Sequence, residues 1–564
     1  MTSLGPSEDR AGVRRLRGFV SALRDPGGRP FLFVLAAALF LFRLGYGLTS
    51  DFWTEDERQI YLIGLRAYAR GEWPYFGPDV VWTASRIPGA LQGLLIAAPL
   101  KLLPVPESPF VLLNLLSLAA LALLAWLVCL RVPELPRPLV WIWLLAAPWT
   151  LNVSTHVVNP SYVLFGAALF FAGFLEAMPG LRRGALPVPA AFALMGAGLA
   201  WVAQLHLSWM LLPPYAAVAF AGTVRSGAKR LAMAAGAFLA ALLLVSLPLV
   251  PTLLRFGTGG SERNVAFIPL GASAFVTTLA RFLSFASLEV PRFIEITPAR
   301  RLIVLRNAPW LVPFVAVSLV AGVLQPVALL ALGFVRRAPW KDWRAVKLTA
   351  LATVLWVYLA YCFASTDPRA SAFHVVFPIA MVYGFHAWAL VWRYRAVRVA
   401  WIVVLSTTLV LHLGLALERA RERSLYADRP LAAAAIARRD DLLLGRRRQE
   451  LATLISRAPE DLEVRRVRWR PAVFGRVSEW RVVLEHRGGE AAYVDVAYVA
   501  RYWDSQERPL GGATGVIKRI LEPGRTYAVR LVDGMVTPGT ARAEFQIVGA
   551  EAVKPLREEP GRSR

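Results

Sequence analysis

The chain has 564 residues, 56% of them hydrophobic, and a formal net charge of +25. A soluble protein of this length is seldom so apolar, so the composition indicates a polytopic membrane protein. The high positive charge would also fit a nucleic-acid-binding protein. However, the lysines and arginines lie mainly in short loops between apolar runs, as the positive-inside rule expects, so we exclude nucleic acid as a partner.

The basic N-terminal segment, residues 1–30, carries six arginines ahead of the first apolar run. No convincing small-residue cleavage site follows that run, so we interpret it as an uncleaved signal anchor with a cytoplasmic N-terminus. The high arginine and alanine usage suits a bacterium. The sequence therefore predicts a multi-pass protein of a bacterial inner membrane.

Residues 31–416 are predicted to form a membrane domain of about eleven transmembrane helices. The candidate spans are 31–49, 109–131, 138–153, 159–178, 188–204, 207–223, 230–254, 308–335, 345–364, 371–391 and 397–416. Basic loops between them predict which ends face the cytoplasm, and an odd number of spans puts the C-terminal part outside. A further apolar piece, Pro88 to Leu103, is short and contains Pro99 and Lys101. We interpret it as a juxtamembrane or re-entrant helix on the outer side.

A cluster of acids follows the first span, in the outer segment from about Thr49 to Pro88. Asp51 comes first, and Glu55-Asp56-Glu57 comes next. Thr54 and the last of these acids match a capping box, which predicts a helix from there through about Arg70. Acids at a membrane face cost solvation energy unless something compensates them. The dipole of the new helix offers one reason for them, and catalysis at the bilayer surface offers another.

Other polar residues are predicted to face the same side. His156 and Asn159 lie in a short turn between two spans, His206 lies at the tip of the hairpin 188–223, and Arg369 lies in the turn before the span 371–391. Each also fits an interfacial polar tip or a snorkelling side chain. The long outer loop, about residues 255–307, holds seven arginines that could bind an anionic substrate.

The order of these parts resembles the GT-C superfamily of membrane glycosyltransferases. The resemblance is to bacterial relatives of the dolichyl-phosphate-mannose protein mannosyltransferases and of the lipid A aminoarabinose transferases, and it covers about residues 30–415. The parts that carry it are Glu55-Asp56-Glu57, Tyr61-Leu-Ile-Gly-Leu-Arg-Ala67, Gly71-Glu-Trp-Pro74, Arg86-Ile-Pro88, and Arg369 ahead of Pro378.

Three departures from the family pattern stand out. Arg86-Ile-Pro88 replaces the His-Pro-Pro often found in the family. The acidic cluster allows two registers, so the base could be Glu55, Asp56 or Glu57. Asn159 stands where a second acid is common, which weakens any metal site carried over from metal-dependent members.

The resemblance implies a glycosyltransferase whose donor is a sugar on a polyprenyl phosphate. Asp56 is the favoured general base, with Glu55 or Glu57 orienting it. A single base suits an inverting displacement, whereas retention would need a second, nucleophilic carboxylate. Arg86 and Arg369 are the candidates for holding the leaving phosphate. The remaining expected substrate contacts are Asp51, His156, Asn159 and His206.

The other partners follow from the same prediction. The acceptor could be a glycan, a lipid or a protein, and the transferred sugar a hexose or a pentose. No cofactor is expected, no Gly-rich nucleotide loop occurs, and a divalent metal stays open. Two rival functions remain, a secondary transporter and a non-catalytic membrane anchor. Cys129 and Cys362, far apart in apolar segments, give neither a disulfide framework nor zinc spacing.

The C-terminal part changes in composition. Residues 417–461 are charged and rich in alanine and leucine, which predicts a helical linker. Short alternating runs from 462 to 554 predict a small β-sandwich that resembles the immunoglobulin-like accessory domains of bacterial envelope proteins. We interpret it as a packing or acceptor-binding module. Residues 555–564 are predicted to be a disordered tail.

Overall fold

The structure is a computed structural model, which describes most but not all of the chain. The described residues are 28–50, 55–80, 85–158, 160–284, 294, 301, 304–306, 308–335, 338–364, 370–419, 425–445, 456–472, 477–489, 491–517, 519, 521–534 and 539–553. The chain divides into two compact units. The helical unit comprises Met1–Val290 and Pro313–Tyr426, and the β-rich unit comprises Pro291–Val312 and Ala427–Arg564.

The chain is mainly α-helical, as its apolar runs predicted. The helices are α1 (Arg29–Ser50), α2 (Glu55–Arg70), α3 (Leu91–Leu102), α4 (Ser108–Arg131), α5 (Arg137–Ala146), α6 (Pro148–Ser154), α7 (Val163–Ala177), α8 (Val188–Ala203), α9 (Pro213–Val224), α10 (Ala228–Ser246), α11 (Val250–Phe256), α12 (Ala272–Ser284), α13 (Val312–Gly333), α14 (Trp343–Tyr361), α15 (Ala370–Val391), α16 (Arg395–Arg419), α17 (Leu425–Arg438) and α18 (Leu442–Gly445). Short 3₁₀ turns occur at Leu207–Leu211, Leu247–Leu249, Ser261–Asn264 and Pro309–Leu311.

Eight helical stretches in the described part of the chain are long and apolar enough to cross a membrane, so this is a multi-pass membrane protein. They are Pro30–Ser50, Ser108–Arg131, Leu207–Val224, Ala228–Phe256, Pro309–Gly333, Trp343–Tyr361, Phe373–Val391 and Arg395–Glu418. Each of them coincides with a predicted span.

Three predicted spans contain shorter helices. The span 138–153 is divided between α5 and α6 because Pro148 lacks the N–H that would continue the helix. The spans 159–178 and 188–204 shorten to α7 and α8. The apolar piece from Pro88 to Leu103 forms α3, which is too short to cross a membrane.

Small residues bring three of these helices close together. A Cβ on Gly166 of α7 would lie 3.1 Å from the Gly198 carbonyl of α8, and one on Gly198 would lie 2.5 Å from the Gly166 carbonyl. On another face of α8, a Cβ on Gly196 would meet the Phe238 carbonyl of α10 at 2.1 Å. Close approach of helix backbones is the packing that glycines permit within membranes.

A buried ion pair stands where α4 and α7 end. Arg131 and Glu176 have fully buried side chains, and Arg131 Nη2 donates to Glu176 Oε1 at 2.7 Å. The second oxygen of Glu176 accepts from the backbone N–H of Ala185 at 2.9 Å. Nearby, Arg183 donates two hydrogen bonds to Asp342, one from Nη2 to Oδ1 at 2.7 Å and one from Nε to Oδ2 at 3.2 Å. The network joins two loops that the sequence predicted on the cytoplasmic side.

The β-rich unit is a sandwich of antiparallel strands, as the alternating runs predicted. The C-terminal strands are β3 (Leu462–Ala472), β4 (Val477–His486), β5 (Ala492–Trp503), β6 (Pro509–Ile517), β7 (Thr526–Gly534) and β8 (Arg542–Val553). Among the described strands, one sheet has the order β3-β4-β7 and the other β6-β5-β8. Trp480 of the first sheet and Phe545 of the second pack within one core, with ring centroids 5.5 Å apart and ring planes tilted by 50°. The immunoglobulin-like character stays a prediction. Residues 555–564 lie outside the described residues.

Candidate functional site

The acidic cluster opens α2, which begins at Glu55 and ends at Arg70, where the capping box predicted a helix. The carboxylates of Glu55, Asp56 and Glu57 lie outside the described part of the structure, as do Asp51 and Thr54. What the structure establishes here is therefore where the backbone carries these acids.

The motif residues of α2 and α3 interlock. Gly64 of α2 packs on α3 so closely that a Cβ would lie 2.2 Å from that of Ile96. Gly93 of α3 leaves the same kind of space for Pro74, which would lie 2.5 Å from an added Cβ. The Tyr61 hydroxyl donates to the Pro106 carbonyl at 3.1 Å. Motif parts that are separate in the sequence therefore form one packed unit that fixes the direction of α2.

The first outer segment also contains a hairpin that the sequence analysis did not predict, β1 (Phe76–Val80) paired with β2 (Ser85–Pro88). Arg86 lies on β2, exposed, with its guanidinium 5.5 Å from the centroid of the Phe76 ring. Its backbone N–H donates to the Gly259 carbonyl at 3.1 Å, and its carbonyl accepts from Ser261 at 3.1 Å. The candidate phosphate ligand thus sits where the hairpin meets the long outer loop.

The long outer loop also pairs with the end of α14. The Ile268 N–H donates to the Cys362 carbonyl at 2.7 Å, and Val265 forms an antiparallel bridge with Ala364. Arg369 lies outside the described residues, five positions beyond Ala364. Ala364, the last described residue before that turn, is thus bridged to the same loop that bonds to Arg86 through Gly259 and Ser261.

His156 lies beside the end of the first span. Its Nε2 is 3.1 Å from the Ser50 hydroxyl, and its Nδ1 donates to the Asn152 carbonyl at 3.1 Å. Gly47 lets α1 approach Thr155, whose carbonyl would be 2.3 Å from an added Cβ. Ser50 directly precedes the acidic segment, and five residues of extended chain span at most about 17 Å. The start of α2 is therefore within this distance of Ser50, whose hydroxyl contacts His156.

Arg43 is a buried cation that the sequence analysis missed. Its side chain is fully buried in α1, where Nη2 donates to the Ser154 hydroxyl at 2.7 Å and Nη1 donates to the Leu145 carbonyl at 2.8 Å. Among the described residues, no carboxylate accepts from it, and its Nε has no partner. A buried charge without a counter-charge is costly in a membrane and is usually functional.

Part of Arg43's role is structural. The helix break at Pro148 frees backbone carbonyls, and Arg43 takes the carbonyl of Leu145 while Thr150 takes that of Leu144 at 2.8 Å. A neutral donor such as this threonine suffices for a free carbonyl. The positive charge of Arg43 is therefore not explained by the helix break alone.

A small cavity of about 20 Å³ borders Ser154. Its lining residues are Thr150, Ser154, Pro160, Ser161, Leu164, His374 and Phe377. The buried Ser161 hydroxyl has no hydrogen-bond partner among the described residues. A cavity needs about 10–15 Å³ to hold one water, so this one has room for little more than a single water molecule.

His206 is the N-cap of the 3₁₀ turn Leu207–Leu211. Its Nδ1 accepts from the Ser208 N–H at 3.1 Å and lies 2.6 Å from the Ser208 hydroxyl. Burial of the ring lowers the pKa of His206 to about 4, and the turn that it caps packs against α15, the helix of His374. The preceding Gln204 packs under Gly89, whose φ of +124° suits a glycine. His206 is thus tied to both the cavity wall and the outer segment.

The structure brings most of the predicted outer residues to one end of the helical unit. Arg86, His156 and His206 are there, together with the backbone that carries residues 55–57. Asn159 lies outside the described residues, between Val158 and Pro160 of the same turn. Within the described ranges, no group of three histidine, cysteine or acidic side chains is arranged to hold a metal ion.

The missed residue Arg43 did leave a signal in the sequence. It is a charged residue inside the apolar run from Phe31 to Leu48, and such a residue is a functional candidate by itself. Its partners, Leu145 and Ser154, are more than a hundred positions away. The sequence could therefore flag the arginine but not the cavity behind its partner.

Comparisons with known proteins give solved structures only, since no family model and no curated protein matches the chain. ArnT from Cupriavidus metallidurans bound to undecaprenyl phosphate is similar at 15% identity and a TM-score of 0.37, over 74% of this chain and 78% of that one. Its apo structure gives 15% identity and 0.36 over the same shares. Arabinosyltransferase EmbB from Mycobacterium smegmatis gives 14% identity and 0.34, over 93% of this chain and 64% of that one.

All three TM-scores lie below 0.5, and all three identities lie at or below 15%. Similarity at this level gives no residue of this chain a role. The functional argument therefore rests on the chain's own residues.

Proposed function

We propose that the chain is an integral membrane glycosyltransferase that moves a sugar from a polyprenyl phosphate to a hydroxyl of an envelope acceptor. One observation supports it above all. The segment that carries the acids starts directly after Ser50, and Ser50 contacts His156. Beside it, the buried Arg43 bonds to Ser154 and has no carboxylate partner among the described residues.

The cation favours an anionic ligand that arrives through the bilayer. A phosphate is the group that an arginine fork binds best. A polyprenyl tail keeps that phosphate at the membrane surface, since each buried CH₂ contributes about 0.8 kcal/mol. We expect the donor phosphate to lie between the cavity and the exposed Arg86, with Arg369 closing on it from the turn before α15.

The proposed reaction is a single displacement with inversion. Asp56 takes the proton of the acceptor hydroxyl as its oxygen attacks the anomeric carbon, and Glu55 or Glu57 orients that base. The bond between the anomeric carbon and the phosphate oxygen breaks, and its electron pair leaves with the phosphate. Arginines stabilise the charge that develops there. Asp51, His156, Asn159 and His206 are proposed to bind substrate. No cofactor takes part in this scheme.

The decisive experiment compares envelope glycolipids and glycoproteins by mass spectrometry in cells that carry wild type, Asp56→Asn or no protein. Losing a general base lowers rates by about 10²–10⁴-fold, so the Asp56→Asn cells should match the cells without protein. Glu72→Gln is the matched control, because Glu72 is an exposed acid of the same outer segment. A full set of products from Asp56→Asn at normal expression would contradict the proposal.

The proposed orientation places these parts outside a bacterial inner membrane and the N-terminus in the cytoplasm. Two single-cysteine variants without Cys129 and Cys362 test it. Glu262→Cys, in the long outer loop, should react with an impermeant maleimide in intact spheroplasts. Ser226→Cys, in a loop predicted to be cytoplasmic, should react only after permeabilisation. The reverse pattern would put the acids on the wrong side.

A further inference from the structure

The outward face of the sheet β3-β4-β7 carries a row of like charges. Arg468 of β3 lies directly opposite Arg481 of β4, which lies directly opposite Arg530 of β7. Like charges directly opposite each other destabilise a sheet. Such a row therefore needs a reason beyond folding.

Only one described acid sits among these arginines. Glu479 is buried and accepts from Arg530 and from Arg470, the latter at 2.8 Å. Arg481 and Arg306 approach it at 3.8 and 3.6 Å. The described side chains here number five arginines to one glutamate, and Arg468 has no ion-pair partner among them. We call the five arginines the arginine face: Arg306, Arg468, Arg470, Arg481 and Arg530.

The other end of the same sheet is balanced. Arg465 bonds Glu463 at 2.9 Å and Glu485 at 2.5 Å, and Arg487 pairs with the same two acids. Two arginines there meet two glutamates. The excess of positive charge is therefore local to the arginine face.

The chain ties this face to a lipid surface. Arg306, which belongs to the same compact unit, lies three residues before Pro309, where a helix long enough to cross a membrane begins. Three residues reach at most about 10 Å. Because Arg306 contacts Glu479, only a short stretch of chain separates the arginine face from the residue at which that span starts.

We propose that the arginine face binds the phosphates of anionic phospholipids and so seats the β-rich unit on the membrane. Arginine forks match phosphate oxygens, and basic clusters next to a span favour anionic lipid. The exposed members can reach lipid, since the side chains of Arg470 and Arg481 are about half exposed. The buried Glu479 fixes Arg470 and Arg530 on this face by ion pairs.

Arginine footprinting of the full-length protein tests this. Phenylglyoxal modification is followed by mass spectrometry in nanodiscs of phosphatidylcholine alone and in discs with three parts phosphatidylglycerol to seven of phosphatidylcholine. We expect Arg468 and Arg481 to react at least fivefold more slowly in the anionic discs. Arg487 and Arg508, exposed but paired with acids, should react at equal rates.

A second measurement uses the variant Arg468→Gln/Arg481→Gln, which removes two opposed like charges and should fold. Wild type should unfold at a higher temperature in anionic than in zwitterionic discs, because a bound ligand stabilises the folded state. The variant should lose that difference, whereas Arg465→Gln/Arg487→Gln should keep it.

Three outcomes overturn the inference. Equal footprints in both discs would do so, as would a lipid-dependent unfolding temperature that survives in Arg468→Gln/Arg481→Gln. Protection in phosphatidylcholine discs by 10 mM inorganic phosphate, without protection by phosphatidylglycerol, would show a site for small anions instead of a lipid surface.

Discussion

The two ends of the helical unit each bury an arginine, and they treat it differently. Arg131, where α4 ends, meets Glu176 at 2.7 Å with both side chains fully buried. Arg43, in α1, meets two carbonyls and the Ser154 hydroxyl but no described carboxylate. A carboxylate neutralises the charge of Arg131, whereas Arg43 has no carboxylate partner among the described residues.

We propose that this difference separates a structural charge from one that serves ligand binding. A buried ion pair offsets more of its own desolvation when its remaining bonding groups have partners. The loop N–H groups provide these for Glu176, and only Nε of Arg131 has no partner among the described residues. Dipoles of carbonyls and hydroxyls compensate a cation less completely. We therefore expect Arg131 to matter first for stability and Arg43 to matter first for anion binding.

The largest effect on stability should come from breaking the buried ion pair of Arg131 and Glu176. Glu176→Gln leaves Arg131 buried without a counter-charge, which should lower the free energy of unfolding by about 3–5 kcal/mol. Unfolding of the purified protein in detergent, followed by tryptophan fluorescence, measures it. The double variant Arg131→Met/Glu176→Met removes both charges and should recover most of the loss. A Glu176→Gln protein as stable as wild type would remove the contrast between the two arginines.

Glu479 of the β-rich unit is a buried acid to which the same rule applies, that a buried charge needs a counter-charge. Burial alone would raise the pKa of Glu479, but the charges and hydrogen bonds of Arg530 and Arg470 outweigh it and hold that pKa below the usual value. The ionised form thus stabilises the fold fully above the unfolded pKa of about 4.3, and this contribution is lost as pH falls through the lowered value. We expect Glu479→Gln to cost about 2–3 kcal/mol at pH 7.

Chemical denaturation of the full-length protein between pH 3 and 7 checks this. In Glu479→Gln the loss of stability on acidification should be shallower than in wild type, since one fewer proton is taken up on unfolding. Glu507→Gln is the control, because Glu507 is an exposed acid of the same unit. Equal slopes in Glu479→Gln and wild type would contradict the assignment.

Much of this fold follows from the sequence, for a physical reason. Long apolar runs have one way to satisfy their backbone in lipid, so each predicted span contains helix. The exceptions have local causes, such as Pro148 dividing one span. The hairpin was missed because Phe76-Gly-Pro-Asp-Val80 has little intrinsic strand character. It forms where the long outer loop lies against it.

The site was predicted less completely. The helix that begins at Glu55 follows from a local capping pattern, so its position could be predicted. Arg43 and its cavity depend on contacts between α1 and α6 that no local pattern encodes. Likewise, the sequence could not show that His206 bonds to Ser208, two residues on, and so holds a turn.

A smaller effect, on ligand binding, should follow from replacing Arg43 with lysine. Arg43→Lys keeps the positive charge but loses the fork that serves Ser154 and Leu145 together. We expect a polyprenyl phosphate such as undecaprenyl phosphate, the class of donor proposed above, to bind about tenfold more weakly, or about 1.4 kcal/mol. Native mass spectrometry with undecaprenyl phosphate and with undecaprenol measures this. Arg137→Lys, an exposed change, is the control. Unchanged binding would show that Arg43 only braces the helix break.

The smallest effect should come from changing His206. Two variants distinguish a role as N-cap from a role in binding substrate. Asparagine is itself a good N-cap, so His206→Asn should keep stability while His206→Ala loses about 1 kcal/mol. Asparagine has no Nε2, and a lost neutral hydrogen bond costs about 0.5–1.5 kcal/mol, or roughly 3–10-fold in the KM for the acceptor or donor. With a pKa of about 4, His206 is neutral from pH 5.5 to 8, so this loss should not vary with pH there. A His206→Asn enzyme with wild-type KM would show that the residue is a cap and nothing more.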